Sequence, residues 1–81
     1  MVAADVLEHL VKGIVEHPDE VVVSERNNRR RGESLAVRVH PDDMGRVIGR
    51  SGRTATALRT VVKAVSGGAA IRIDFLDVTE R

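Results

Sequence analysis

Hydrophobic residues near the start of the chain recur with the spacing of an amphipathic helix. The apolar members of this pattern are Val6, Leu7, Leu10, Val11, Ile14 and Val15. Charged residues occupy the positions between them and so fall on the opposite side of a helix. The spacing predicts a helix over residues 3–16, ended by His17 and Pro18.

Two stretches with strand character follow. EVVVSE at 20–25 is a β-branched run bounded by charged residues, and in ESLAVRVH at 33–40 apolar residues alternate with polar or small ones. Between them, RNNRRRG at 26–32 has turn residues and no apolar side chain, which predicts an exposed loop. Two interpretations of these arginines stay open. They form a second electrostatic contact that adds non-specific affinity, or they are solvated charges at the tip of a hairpin.

The second half of the chain is predicted to form two helices and a last strand. A proline and two aspartates at 41–43 favour a helix start, so a short helix is expected over residues 41–48. Helical spacing returns over residues 53–66, and residues 71–76 alternate like a half-buried strand. The predicted order, helix, strand, strand, helix, helix, strand, indicates an α+β domain.

Charge is unevenly distributed although the net charge is only +1. Residues 1–25 hold six acidic residues and one lysine, whereas residues 26–63 hold ten basic and three acidic residues. Such a chain can present a basic surface to a polyanion, although ordinary solvated charges explain the same counts equally well.

Composition excludes several classes of protein. At 81 residues the chain forms one small domain without room for a large enclosed active site. It has no cysteine for disulfides or thiolate metal sites, and its apolar runs fall far short of the roughly 20 residues of a membrane span. Because its first residues are acidic rather than basic, a signal peptide is not predicted and a cytoplasmic location is expected.

Candidate catalytic and metal-binding residues are sparse. His9, His17 and His40 stand at unrelated spacings, so no metal site is predicted. The adjacent Asp42 and Asp43 point to different faces of a helix and are attributed to helix-start chemistry. The glycines at 45–52 match neither the dinucleotide fingerprint nor a P-loop, and no enzymatic activity or cofactor is predicted.

The stretch VIGRSGR at 47–53 carries the strongest functional pattern. Gly49 and Gly52 bracket Arg50 and Ser51, which predicts a tight turn leading directly into a helix. Backbone amides at a helix start lack intrahelical partners and favour anions, so a phosphate is the expected ligand.

VIGRSGRTATAL resembles the signature of the KH domain, in which an aliphatic pair, G-x-x-G and two spaced aliphatic residues join two helices. The pair is 47–48, and the spaced positions are Ala55, smaller than the usual isoleucine, and Leu58. The element order is similar to the type II arrangement, αββααβ, with a three-stranded mixed sheet and helices packed on one face. The resemblance covers nearly all of residues 1–81, which are expected to form one KH domain.

The resemblance implies RNA binding without catalysis. In KH domains the G-x-x-G turn holds the backbone of about four unpaired nucleotides. By position, the RNA-binding residues are expected to be Gly49, Arg50, Ser51, Gly52, Arg46, Arg53, Ile48, Arg59 and Lys63. The groove for the bases is expected to lie between the two helices and the strand near residues 35–39. Because Phe75 is the only aromatic residue, affinity is expected to be modest and strongly salt-dependent.

The resemblance also implies a wider role. It points to an RNA chaperone that acts post-transcriptionally as a homodimer, in a complex with a larger KH-containing partner of the KhpB type. A link to cell-wall homeostasis, cell shape and cell length is implied as well. The sequence leaves one alternative open, a KH-fold interaction module without RNA binding of its own.

Overall fold

The computed structural model of the protein describes residues 2–28, 32–68 and 71–77. The first helix, α1, spans Val2–Ile14 and buries the side chains of Leu7 and Val11 against the rest of the domain. It ends two residues earlier than predicted. A short 3-10 turn follows at Pro18–Glu20, because the backbone before a proline disfavours the helical conformation.

Three strands form one mixed sheet. They are β1 at Val22–Asn28, β2 at Gly32–Val39 and β3 at Arg72–Asp77, in the spatial order β1, β2, β3. The pair β1 and β2 is antiparallel, and β2 and β3 are parallel. A parallel neighbour requires a long crossover connection, which the helices between β2 and β3 supply.

Part of the predicted loop at 26–32 is strand in the structure. Residues 26–28 extend β1, and Gly32 begins β2, with Asn28 paired opposite Gly32. Polar residues can continue the strands here because the hydrogen bonds between strands use backbone groups, and the described residues at this end of the pair are exposed. The three arginines that complete the predicted loop lie outside the described residues.

Two helices connect β2 to β3. The short α2 spans Met44–Ile48, and α3 spans Arg53–Val65. Helix α2 begins three residues later than expected, because residues 41–43 form a 3-10 turn in which Asp43 N donates to His40 O at 2.8 Å.

The core lies between the helices and one face of the sheet. Buried side chains from the three helices and from β2 and β3 form most of it: Leu7, Val11, Leu35, Val37, Val39, Val47, Val62 and Ile73. The alternate residues of β2 and β3 meet the apolar stripes of the helices, so the predicted α+β fold, with a mixed sheet and helices on one face, is confirmed.

Candidate nucleic-acid interface

The chain turns sharply between α2 and α3 at a segment we call the corner, residues Gly49–Gly52. Three of its residues have a positive φ: Gly49 (φ 77°, ψ 170°), Ser51 (φ 55°, ψ 26°) and Gly52 (φ 74°, ψ 15°). Gly52 N donates to Gly49 O at 3.1 Å, while the side chains of Arg50 and Ser51 are exposed. The corner is therefore a tight turn on the surface, as the two glycines predict.

Gly49 and Gly52 have different roles in the corner. A Cβ atom at Gly49 would collide with the Thr54 side chain and lie 2.8 Å from the Thr54 backbone nitrogen, so a larger residue cannot fit. A Cβ atom at Gly52 would meet no atom within 4 Å. Gly49 thus serves the packing of the corner against α3, whereas Gly52 leaves open space that a ligand backbone can enter.

The start of α3 offers an attractive place for an anion. No side chain caps this end of the 13-residue helix, since its N-cap residue is Gly52. The partial positive charge of the helix dipole is concentrated at the same end. Arg50 and Arg53 add full positive charges beside it, and both are exposed. Phosphate groups are the anions that such helix starts commonly bind.

The other predicted cations are less closely associated with the corner. Arg46 Nη2 donates to Glu16 Oε1 at 2.9 Å, so its charge is balanced by a residue from the segment after α1. Lys63 lies ten residues beyond Arg53, about 15 Å along the helix. The structure thus places Arg50 and Arg53 at the corner. Arg46 is paired with Glu16, and Lys63 lies farther along α3.

A groove of about 370 Å³ runs beside the helices. It is lined by Arg26, Ala36, Ile48, Arg59, Arg72, Ile73, Asp74, Phe75 and Leu76. Of the expected residues 35–39, Ala36 lines the groove, whereas Leu35, Val37 and Val39 are fully buried in the core. Most of the wall comes from β3, an edge strand of the sheet.

The groove contains the single aromatic ring of the chain. The guanidinium carbon of Arg59 lies 5.6 Å from the centre of the Phe75 ring, a cation–π contact. At the rim, Arg72 Nε donates to Asp74 Oδ1 at 3.0 Å. The Arg59 guanidinium and the Phe75 ring are therefore neighbours in the groove, a pairing that the composition alone did not predict.

A buried carboxylate joins the start of α2 to the segment after α1. Asp43 is fully buried and accepts hydrogen bonds from Glu16 N (3.0 Å), His17 N (3.1 Å) and His17 Nδ1 (3.0 Å). Burial by itself raises the pKa of Asp43, but these hydrogen bonds outweigh it and hold the pKa below its ordinary value. Asp43 does lie at the start of α2, as predicted, but its side chain makes no cap bond to that helix and bonds to the segment after α1 instead.

Comparison with known proteins agrees with this geometry. The profile of the KhpA/KhpB KH domain matches residues 4–75. The chain belongs to the KhpA/KhpB KH-domain family.

Relatives within this family are similar over most of their length. RNA-binding protein KhpA of Streptomyces coelicolor is 65% identical over 74 residues, which cover 91% of each chain. RNA-binding protein KhpA of Mycobacterium tuberculosis is 54% identical over 79 residues, 98% of this chain and 96% of that protein. The relative from Halalkalibacterium halodurans is 48% identical over 75 residues, 88% of this chain and 95% of that one.

A solved structure shows the same fold. The crystal structure of Era in complex with MgGDPNP and nucleotides 1506–1542 of 16S ribosomal RNA matches with a TM-score of 0.50 at 12% identity. The match covers 94% of this chain and 30% of that one. At this level of identity the similarity supports the KH fold alone.

Family membership also bears on enzymatic activity. The matched KhpA relatives are named RNA-binding proteins rather than enzymes, which confirms the prediction that this KH domain is not an enzyme. Within the described residues, no helix has the length and hydrophobicity to cross a membrane.

Proposed function

We propose that this KH domain binds single-stranded RNA, holding the sugar-phosphate backbone at the corner and receiving the bases in the adjacent groove. The observation that carries the proposal is the exposed corner, which has an open approach at Gly52 and leads into a helix start without a side-chain cap. The names of the KhpA relatives support the same ligand.

Phosphates are bound by charge and by backbone geometry. Arg50 and Arg53 flank the corner, and the dipole of α3 favours an anion between them. Each phosphate neutralised on a single strand contributes a slope of about −0.7 to the dependence of log affinity on log salt concentration. Binding is therefore expected to weaken steeply with added salt and to depend little on base sequence.

Bases are bound by apolar contact and stacking in the groove. Ile48 lines the groove from α2, next to the corner, and the Arg59–Phe75 pair lies farther along. Stacking on an aromatic side chain contributes about 1–3 kcal/mol per base. With a single aromatic ring available, affinity is expected to be modest and shared over about four nucleotides.

The test reverses the charge of the corner. Fluorescence anisotropy with short single-stranded RNA at two salt concentrations compares the wild type with an Arg50→Asp, Ser51→Asp double variant. A Val2→Asp, Lys12→Asp variant changes the net charge by the same amount at two exposed positions of α1, away from the corner. Circular dichroism establishes that all three proteins are folded.

The proposal requires a large loss of affinity in the corner variant, salt-sensitive binding by the wild type, and near wild-type binding by the α1 variant. Equal binding by all three proteins would exclude the corner as the site. Equal loss of RNA affinity in both variants would show that overall charge, and not the corner, determines binding.

A second surface supports the proposed assembly as a homodimer and with a KhpB-like partner. A shallow apolar groove of about 430 Å³ lies between α1 and α3, lined among others by Leu10, Ile14, Leu58 and Val61. Val61 and Val65 lie one turn apart on α3, with exposed fractions of 38% and 42%. This surface also favours the second candidate function, an interaction module without RNA binding.

Val61→Asp is expected to shift the protein from dimer to monomer in size-exclusion chromatography with light scattering, because a buried unpaired charge opposes association. Thr60→Asp on the same helix is the matched control, since Thr60 is outside the apolar groove. A wild-type monomer, or a dimer in all three proteins, would contradict an interface at this groove.

The wider role is proposed from the family: RNA chaperone activity in the cytoplasm, with effects on cell-wall homeostasis and cell length. Complementation of a strain lacking its KhpA relative tests it. The wild type is expected to restore cell length, and the Arg50→Asp, Ser51→Asp variant is not. Equal restoration would separate the cellular role from RNA binding.

A further inference from the structure

His17 meets His40 and Asp42, which are more than 20 residues away in the sequence, where the end of α1 faces the start of α2. The rings of His17 and His40 stack with centroids 4.0 Å apart and planes inclined by 14°. Asp42 Oδ2 lies 3.6 Å from His40 Nδ1. One donor atom from each of the three side chains lies within 4.8 Å of the others. Sequence spacing did not predict this cluster, because tertiary folding assembles it.

The buried Asp43 prepares His17 to act as a ligand. Asp43 Oδ2 lies 3.0 Å from His17 Nδ1, so in the neutral imidazole this nitrogen carries the hydrogen and the lone pair lies on Nε2. A carboxylate behind a metal-binding histidine fixes its tautomer and raises its basicity. The bonds from Glu16 N and His17 N hold that carboxylate in place.

We propose that His17, His40 and Asp42 bind a divalent first-row transition metal ion of the Zn²⁺ type, with water at the remaining positions. Two imidazole nitrogens and one carboxylate oxygen are ligands that suit Zn²⁺, Co²⁺, Ni²⁺ and Cu²⁺, whereas Mg²⁺ and Ca²⁺ prefer oxygen alone. The three side chains together carry one negative charge when both histidines are neutral, which complements a divalent cation.

The distances are compatible with coordination after small side-chain rotations. Ligand atoms about 2.1 Å from a tetrahedral ion are about 3.4 Å from each other. The separation of His40 Nδ1 and Asp42 Oδ2, 3.6 Å, is already close to that value, and coordination through His40 Nδ1 replaces the hydrogen bond that it accepts from Asp42 N. The exposed fractions of the His17, His40 and Asp42 side chains, 41%, 32% and 77%, leave room for rotation without movement of the core. Coordination separates the stacked rings.

A bound ion would connect the segment after α1 to the turn before α2, which leads to the corner. Because the ligands come from segments separated in sequence, an ion that binds the folded state raises the unfolding temperature. For a domain of this size a rise of about 5–10 °C is expected at saturating metal.

The test uses tag-free, chelator-treated protein and Zn²⁺ or Mg²⁺ alone. Isothermal titration calorimetry and thermal unfolding compare the wild type with His40→Asn. In the wild type, His40 Nδ1 accepts a hydrogen bond from Asp42 N at 3.1 Å. Asparagine keeps a side-chain acceptor for this bond but removes the imidazole. His9→Asn, an exposed histidine of α1 outside the cluster, is the matched control.

The proposal requires one Zn²⁺ per chain and a raised unfolding temperature in the wild type and in His9→Asn, without a response to Mg²⁺. His40→Asn is expected to lose at least tenfold in Zn²⁺ affinity. Asp42→Asn, at a highly exposed position, is expected to do the same if His40→Asn fails to fold. Absence of Zn²⁺ binding by the wild type, or equal affinity in the wild type and a folded ligand variant, would overturn it.

Discussion

Gly49→Ala tests whether the corner is held by a backbone conformation that glycine alone provides. With φ 77° and ψ 170°, Gly49 occupies a region that is essentially closed to residues with a Cβ atom. The new Cβ would also meet the Thr54 side chain and lie 2.8 Å from the Thr54 backbone nitrogen. A backbone atom at the start of α3 cannot move aside as the end of a flexible side chain can.

The expected loss of stability is large for a domain of this size. A residue forced into such a conformation costs about 1–3 kcal/mol, and steric overlap in a packed site adds about 1–3 kcal/mol. Gly52→Ala is the matched control, since Gly52 has ordinary left-handed angles and open space around the new Cβ atom. Its cost is about 1–2 kcal/mol. Gly49→Ala is therefore expected to be less stable than Gly52→Ala by about 2–3 kcal/mol, the difference between the midpoints of these ranges.

Urea unfolding followed by far-ultraviolet circular dichroism measures this difference, because the chain has no tryptophan or tyrosine to report by fluorescence. Anisotropy with single-stranded RNA adds a second comparison. Gly52→Ala is expected to stay folded and lose affinity, because its methyl group occupies the open approach at the corner. Equal stability of the two variants would refute the assignment of Gly49 to packing and Gly52 to ligand approach.

Two further predictions concern the groove and the buried carboxylate. Arg53→Leu is expected to reduce the salt slope of RNA binding by about 0.7, the loss of one phosphate contact. Arg59→Leu is expected to weaken binding with little change in the salt slope, because Arg59 lies over Phe75. Equal changes in the salt slope would contradict these separate roles of Arg53 and Arg59. Asp43→Asn is expected to lower the unfolding temperature in metal-free buffer at pH 7, because its amide presents a donor to groups that donate. Asp42→Asn, at an exposed position, should leave the temperature nearly unchanged.

Sequence patterns predicted the elements and their order because hydrophobic spacing is a local property of helices and strands. The boundaries differed where local signals compete. Residues 26–28 contain no apolar side chain, yet they continue β1 because the hairpin ladder uses backbone groups. The corner was predicted from its glycines, since a left-handed turn leaves few other choices of residue.

The surroundings of the corner were not predictable from spacing. Glu16 neutralises Arg46 from 30 positions away in the sequence. Most of the wall of the groove comes from β3, which reaches this position by pairing in parallel with β2 after the crossover of two helices. Contacts of this kind depend on how separate elements pack, and no local pattern records that packing.

The sequence by itself determined the family signature, the left-handed corner and the amphipathic elements, because each depends on residues close together in the chain. Tertiary structure alone decided which cations remain beside the corner, that Phe75 and Arg59 meet in the groove, and that His17 stacks on His40 above Asp43. Those contacts arise when burial of the shared core brings distant segments together, and polar side chains at the edges of that core then take whichever partners the packing supplies.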